Sequence, residues 1–280
     1  MSMFHILLVA IIQGITEFLP VSSSGHLILL PSLTGMSDQG LAIDVAVHVG
    51  TLGAVILYFW SDVRLAMGGV PDLVRGRTDS EGSRLAYLLV VATIPVVIAG
   101  LVLSLSGLTD ALRSIKVIGW AMLIFGLVLW WEDQRGKSDK RMSDWNRRDA
   151  TIMGLWQALA LIPGTSRSGI TITGARQMGY ERSEAARLAM LMSIPTIAAS
   201  GVLLCTKIYA TADAQLARDG AIAAGLSFVA AYLALGLMMR LLRSVSFTPY
   251  VVYRIALGLV LLWIAYNTGG PVDPPPVRLS

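Results

Sequence analysis

The sequence predicts an all-α integral membrane protein built as an inverted-topology repeat, with six transmembrane helices and two re-entrant helix pairs. Three observations point there. Hydrophobic residues make up 55% of the 280 and charged residues only 14%, where a soluble domain carries about a quarter charged residues; mean hydropathy is +0.66. The apolar residues gather in runs long enough to cross a bilayer. Two of these runs are broken by the same polar pattern, 144 positions apart.

A full crossing needs about 20 apolar residues. Five stretches meet or approach that length: Leu41–Trp60, Leu85–Leu105, Val117–Trp131, Ala185–Thr206 and Ala221–Met239. A sixth, Tyr250–Tyr266, carries Arg254 near its start, expected to snorkel to the interface. Met3–Leu30 and Ala150–Thr173 are apolar but interrupted by Pro, Gly and Ser, and each half is too short to cross. Such segments read as re-entrant pairs, tolerated at membrane depth where protein or a wet cavity surrounds them. A shift of 144 sets Gln13 on Gln157, Ser22 on Ser166, Ser24 on Ser168 and Gly25 on Gly169. Each broken segment is followed by three full spans, so the second half enters from the opposite side. That is the plan in which discontinuous helices build a site near the midplane. The chain is then one membrane domain, with repeat 1 at about 1–135 and repeat 2 at about 148–268. A Pro-rich tail at 269–280 is expected to be disordered.

Charge assigns the sides. Loops 61–84, 132–149, 176–187 and 240–254 share one face and hold 16 of the 22 Lys and Arg; the other face has Arg113, Lys116, Lys207, Arg218 and Arg278. The positive-inside bias makes the first face cytoplasmic and puts both termini outside. The loop MSDWNRRD is then a cytoplasmic anchor, and no nucleic-acid role is expected. The first apolar stretch has no basic lead, so no cleaved signal peptide is expected. Cys205, alone of its type, reads as a small buried hydrophobe.

The broken segments carry the chemistry. In QGITEFLPVSSSGHL, Gln13 and Glu17 are four apart and share a helix face. Pro20 ends that helix, and Ser22, Ser23 and Ser24 lie where a new one begins, with Gly25 allowing close backbone approach. A helix N-terminus suits an anion such as phosphate. His26 follows Ser23 by three residues, so both can face one cavity. PGTSRSG repeats the design and adds Arg167, a guanidinium fork matched to phosphate oxygens. A bland reading remains beside this one: Glu17 paired with Arg167 as a structural ion pair, the serines as plain helix caps. The set together is expensive in a bilayer and functional by default. Arg167 and the helix starts would bind an oxyanion, a serine beside a base can attack phosphorus, and Glu17 can be that base or hold a divalent cation. Gln13 offers a carbonyl oxygen to such a cation but neither charge nor basicity. Phosphoryl transfer or hydrolysis within reach of lipid follows.

EFLPVSSSGH together with PGTSRSG closely resembles the paired signature of the bacterial undecaprenyl-pyrophosphate phosphatases, the bacitracin-resistance family, over essentially the whole chain. The resemblance implies an inner-membrane enzyme that hydrolyses undecaprenyl pyrophosphate to the monophosphate, recycling the lipid carrier for cell-wall synthesis. It also implies a homodimer, a periplasm-facing site and a divalent cation, Mg²⁺ or Ca²⁺. By motif position Glu17 is the essential acid, Ser23 the nucleophile and His26 its acid/base partner, though the histidine is itself an alternative nucleophile. Arg167 clamps the pyrophosphate, and Gly164, Thr165, Ser166 and Ser168 form its cradle. Gln13 departs from a pattern that often has a second glutamate there. Asp44, at a position where the family carries an acid, supports the site; His48, four residues on, reads as structural.

Two other classes compete. An inverted-repeat secondary transporter or lipid flippase would share the architecture but needs only the anion clamp. A second membrane lipid-phosphatase family also uses SGH and SR, but there a catalytic His stands six residues beyond the Arg. Here that place is Thr173, and no histidine follows His48.

Overall fold

The computed structural model describes residues 2–35, 39–107, 112, 114–208 and 214–267; for helix residues 28, 32–34 and 202–208 the backbone alone is described. The Pro-rich tail, Arg113, Arg278 and the side chains of Cys205 and Lys207 therefore lie outside the described residues. Within them the chain forms eleven α-helices and no strand.

The first broken segment is α1 (Met3–Thr16) and α2 (Ser23–Thr34); the second is α7 (Arg147–Ala158) and α8 (Arg167–Gln177). Each of these helices is shorter than a bilayer crossing needs. The long helices are α3 (Leu41–Tyr58), α5 (Glu81–Ser106), α6 (Ile115–Arg135), α9 (Arg182–Ile208), α10 (Ala214–Leu241) and α11 (Thr248–Asn267). All but α9 are long and apolar enough, over their described residues, to cross a membrane. The protein is thus a multi-pass membrane protein, and its outer surface agrees: Leu105, Leu233 and Trp263 are 80%, 67% and 65% exposed. Polar caps set the helix starts. Ser2, Ser80, Ser114 and Asn146 each accept a hydrogen bond from a backbone N–H three residues on. Gly35 and Gly107 end α2 and α5 in the left-handed conformation that glycine adopts without strain.

One expectation fails here. The stretch 61–84 is not all loop: α4 (Trp60–Val74) lies within it and packs along α5. Two glycines permit the approach, since a Cβ on Gly69 would lie 2.0 Å from the Ser83 nitrogen and one on Gly82 2.3 Å from the Leu65 oxygen. The polar residues that suggested a loop are used: Arg187 grips Asp62 through two hydrogen bonds of 2.9 and 2.5 Å.

Packing crosses between the halves. α1 runs along α10 and α7 along α5, while α3 meets α9 and α6 meets α11. The principal core joins the helices from α3 to α11 around Leu129, Trp145, Tyr180, Met190 and Phe247. Beside it, at the end where α6 stops and α9 begins, a buried ionic cluster ties loops together. The Asp133 carboxylate, fully buried, accepts from Arg176 Nε (3.1 Å), Arg182 Nε (2.8 Å) and the Phe247 backbone N–H (3.2 Å). Asp149 accepts from Lys140 (3.0 Å) and the Tyr180 hydroxyl (2.8 Å); burial and that bond push the phenol well above the usual tyrosine range.

Arg176 is 1% exposed, so removing its counter-ion strands a buried charge. We expect Asp133→Ala to cost about 3–5 kcal/mol, read as a large fall in melting temperature in detergent. Arg141→Ala, which breaks only an exposed pair with Glu181, should leave that temperature unchanged.

Candidate active site

The two broken segments turn on matched backbone. Among the described residues the non-glycine positions with positive φ are Ser22 (74°) and Ser166 (68°), separated by the same 144 positions as the sequence pattern. Such conformations cost of order 1–3 kcal/mol each and persist where surrounding structure holds them. Each serine is the residue before a helix, so Ser23 opens α2 and Arg167 opens α8. In both turns the hydroxyl meets that of the serine two residues on: Ser22 with Ser24 at 3.2 Å, Ser166 with Ser168 at 3.1 Å. Ser168 then donates to the Leu19 carbonyl at 2.9 Å, joining one broken segment to the other.

The charges meet between them. Glu17, 8% exposed at the end of α1, receives Arg167 Nη2 on Oε1. Its Oε2 accepts from Gln13 Nε2 at 2.8 Å and from the Ser23 hydroxyl at 2.7 Å. Arg167 Nη1 donates to the Ser193 carbonyl at 3.1 Å, which fixes the guanidinium plane. A cavity of about 760 Å³ opens beside this cluster. Of the residues expected from sequence, Glu17, Ser22, Ser23, Ser24, Asp44, Ser166 and Arg167 line it. Gln13 stands behind Glu17, fully buried.

The remaining candidates are placed otherwise. His26 does not face Glu17 or partner Ser23. Its Nε2 is 2.6 Å from the Tyr253 hydroxyl, with the two rings parallel and meeting edge to edge, and its Nδ1 is 2.7 Å from the Ser22 carbonyl. With Nδ1–H donating there, His26 braces the positive-φ turn that presents Ser23. Gly25, Gly164, Thr165 and Ser168 do not line the cavity wall. Gly164 (φ 91°) instead lets its loop rest on α6, where a Cβ would meet the Ile118 oxygen at 2.5 Å.

Two residues gain roles that the sequence reading withheld. His48, read as structural, lines the cavity. Its Nδ1 lies 2.7 Å from the Asp44 carbonyl and its Nε2 3.8 Å from Glu17 Oε2. Asp44 itself accepts from Gln39 at 2.8 Å. The spacing of Asp44 and His48 on one helix face was the available signal. Arg254 does not snorkel. It is 0% exposed, and its Nη2 donates to the Gly164 and Thr165 carbonyls at 3.1 and 2.8 Å, holding the PGTSRSG loop from beneath.

No group of three or more His, Cys, Asp or Glu side chains that could hold a metal occurs among the described residues. Gln13 turns its N–H, not its carbonyl, toward Glu17, and its Oε1 is buried without a partner. Of the two carboxylates that line the cavity, Glu17 is already matched by Arg167 and Asp44 accepts from Gln39. The protein's own side chains do not make the shell of about six oxygens that a hard divalent cation takes.

An Asn at position 26 can place an N–H near the site of the imidazole Nδ1. His26→Asn should therefore retain more turnover than His26→Ala or His26→Gln, whereas equal loss in all three would show that the Ser22 brace is not what matters.

Residues 6–260 match the family described as Bacitracin resistance protein BacA. The undecaprenyl-diphosphatase of Ruegeria pomeroyi is 71% identical over 267 residues, covering 95% of this chain and all of that protein. That of Jannaschia sp. is 68% identical over 95% of this chain and all of its own length. Undecaprenyl-diphosphatase 1 of Rhodospirillum rubrum is 45% identical, over 95% of this chain and 96% of its own. The chain belongs to the bacitracin resistance protein BacA family.

Proposed function

We propose that the cavity beside Glu17 and Arg167 is where this enzyme does its chemistry. The chain is an undecaprenyl-diphosphate phosphatase: it removes the terminal phosphate of undecaprenyl diphosphate, leaving the monophosphate carrier for cell-wall synthesis. The observation that carries the reading is the contact of Ser23 and Arg167 with the same carboxylate. A carrier needs the anion clamp alone; a hydroxyl hydrogen-bonded to a base is the equipment of displacement at phosphorus.

The terminal phosphate enters at the starts of α2 and α8, where backbone N–H groups and Arg167 meet its oxygens. Arg167 exchanges one carboxylate contact for phosphate, which frees Glu17 to act as base. Ser23 Oγ attacks the terminal phosphorus, its proton passes to Glu17 Oε2, and the bridging P–O bond breaks to release undecaprenyl phosphate. Water then attacks the phosphoserine; as the Oγ–P bond breaks, Glu17 returns its proton to Ser23 Oγ, and inorganic phosphate leaves carrying the oxygen and protons of the water. His48, with Nδ1 held by the Asp44 carbonyl, presents Nε2 to the same Glu17 oxygen and to the cavity, placed to relay the proton. A divalent cation fits only as a companion of the diphosphate, whose oxygens would extend a shell begun by Glu17; it would neutralise charge on the leaving group.

The finer architecture belongs to the same reading. The paired positive-φ serines and the exchanged packing of α1 on α10 and α7 on α5 support two inverted repeats, with α9 as the sixth crossing and both broken segments re-entrant. The basic loops that surround Asp133 and Asp149 lie on the cytoplasmic side of the inner membrane. Both termini and the cavity face the periplasm, and exposed apolar helix faces accommodate a homodimer.

Purified wild type should release phosphate from undecaprenyl diphosphate in detergent. Arg167→Ala should lower kcat by about 10²–10³-fold through loss of transition-state charge stabilisation. Glu17→Gln and His48→Gln should each lower it by at least about 10²-fold through loss of proton transfer. Absence of phosphate release by wild type, with substrate-dependent flux in liposomes, would replace the hydrolase by a carrier.

A further inference from the structure

The cavity has two kinds of lining. Glu17, the serines and Arg167 supply charge and hydroxyls, while Val45, Val49 and Leu52 of α3 and Ile197, Ala198 and Gly201 of α9 supply apolar surface, interleaved there with Asp44, His48, Thr196 and Ser200. Val49, which lines the cavity, is 50% exposed, so the α3 side of the cavity is not sealed by packing. A cavity of 760 Å³ is of the size that holds a drug-sized ligand, far less than an undecaprenyl tail. The diphosphate and the first isoprene units fit; the remainder must pass out between helices into lipid.

Gly201 lies within α9, where glycine costs about 1 kcal/mol of helix stability relative to alanine. Packing does not call for it there: a Cβ at Gly201 would meet nothing within 4 Å among the described residues. Gly14 and Gly154 differ, since a Cβ on either would run into neighbouring atoms at 2.6 and 2.5 Å. The space spared at Gly201 is cavity space.

We infer that the gap between α3 and α9 is the exit for the isoprenyl chain, and that the missing side chain at Gly201 sets its width. This rests on the phosphatase reading of the cavity. The control is steric. Lipid is as apolar as the side chains of the wall, so the tail gains little by touching protein rather than bilayer. What the gap can impose is a limit on what passes.

The test compares wild type with Gly201→Leu, Gly201→Trp and Gly225→Leu. Gly225 is another exposed helical glycine with open space at its Cβ position, outside the cavity. Phosphate release is measured from undecaprenyl diphosphate and from geranyl diphosphate, with melting temperature as the check on folding. The expected result is that Gly201→Trp loses roughly tenfold or more in kcat/KM on the long chain and keeps wild-type activity on the short one. Gly201→Leu should fall between, and Gly225→Leu should match wild type on both. Wild-type activity of Gly201→Trp on the long chain overturns the inference, as does equal loss on both substrates in a folded variant. If the wild type hydrolyses neither substrate, the phosphatase reading itself fails, which the other results leave standing.

Discussion

A carboxylate inside an apolar bundle has to be neutralised, and Glu17 is neutralised from 150 residues away. Arg167 reaches it only if the loop between α7 and α8 is brought against the end of α1. The pair therefore makes demands on the whole bundle. The two broken segments must meet, the long helices must cross between halves to bring them together, and the loop backbone at the meeting point must find partners without water. An isolated charge there would cost several kcal/mol, so each of the two is present because the other is.

The backbone around that pair is satisfied by side chains from elsewhere in the sequence. Arg254 supplies donors to two carbonyls of the loop preceding Arg167, and Ser168 supplies one to Leu19. His26 does the same for Ser22. At membrane depth, irregular backbone needs such partners because no solvent replaces them. Rigidity of the turns follows from this. Ser23 and Arg167 are first residues of helices whose entry conformation is strained and braced, so their direction is set before substrate arrives.

Much of this is legible in the sequence, for reasons particular residues make plain. Breaks at Pro20 and Pro163–Gly164 in apolar runs mark the two segments, and the recurrence of Gln, Ser and Gly at a constant offset marks their kinship. Polar residues that lipid penalises mark most of the cavity's charged and hydroxyl lining, and the six expected long stretches are helices, α10 starting seven residues earlier than expected. What escaped depends on tertiary direction. Trp60–Val74 contains Asp62, Arg64, Asp72 and a Gly-Gly pair and reads as loop until Gly69 and Gly82 are seen to cross. Arg254 near a span end is ordinarily an interfacial residue; only the unmet carbonyls of a loop 90 positions earlier draw it inward. His26 and His48 each had a plausible partner at helical spacing, and their ring directions, which decide between them, are settled by Tyr253 and by Glu17.

The shared frame of the two segments is filled unequally. Both turn serines are present, and so are both glutamines, Gln13 and Gln157, each with a buried and unpartnered Oε1. The counterpart of Glu17, however, is Leu161, whose side chain lies near Gly100 of α5. The two segments are therefore complementary rather than duplicate: the first brings the carboxylate, the second the guanidinium, and each is the other's counter-ion.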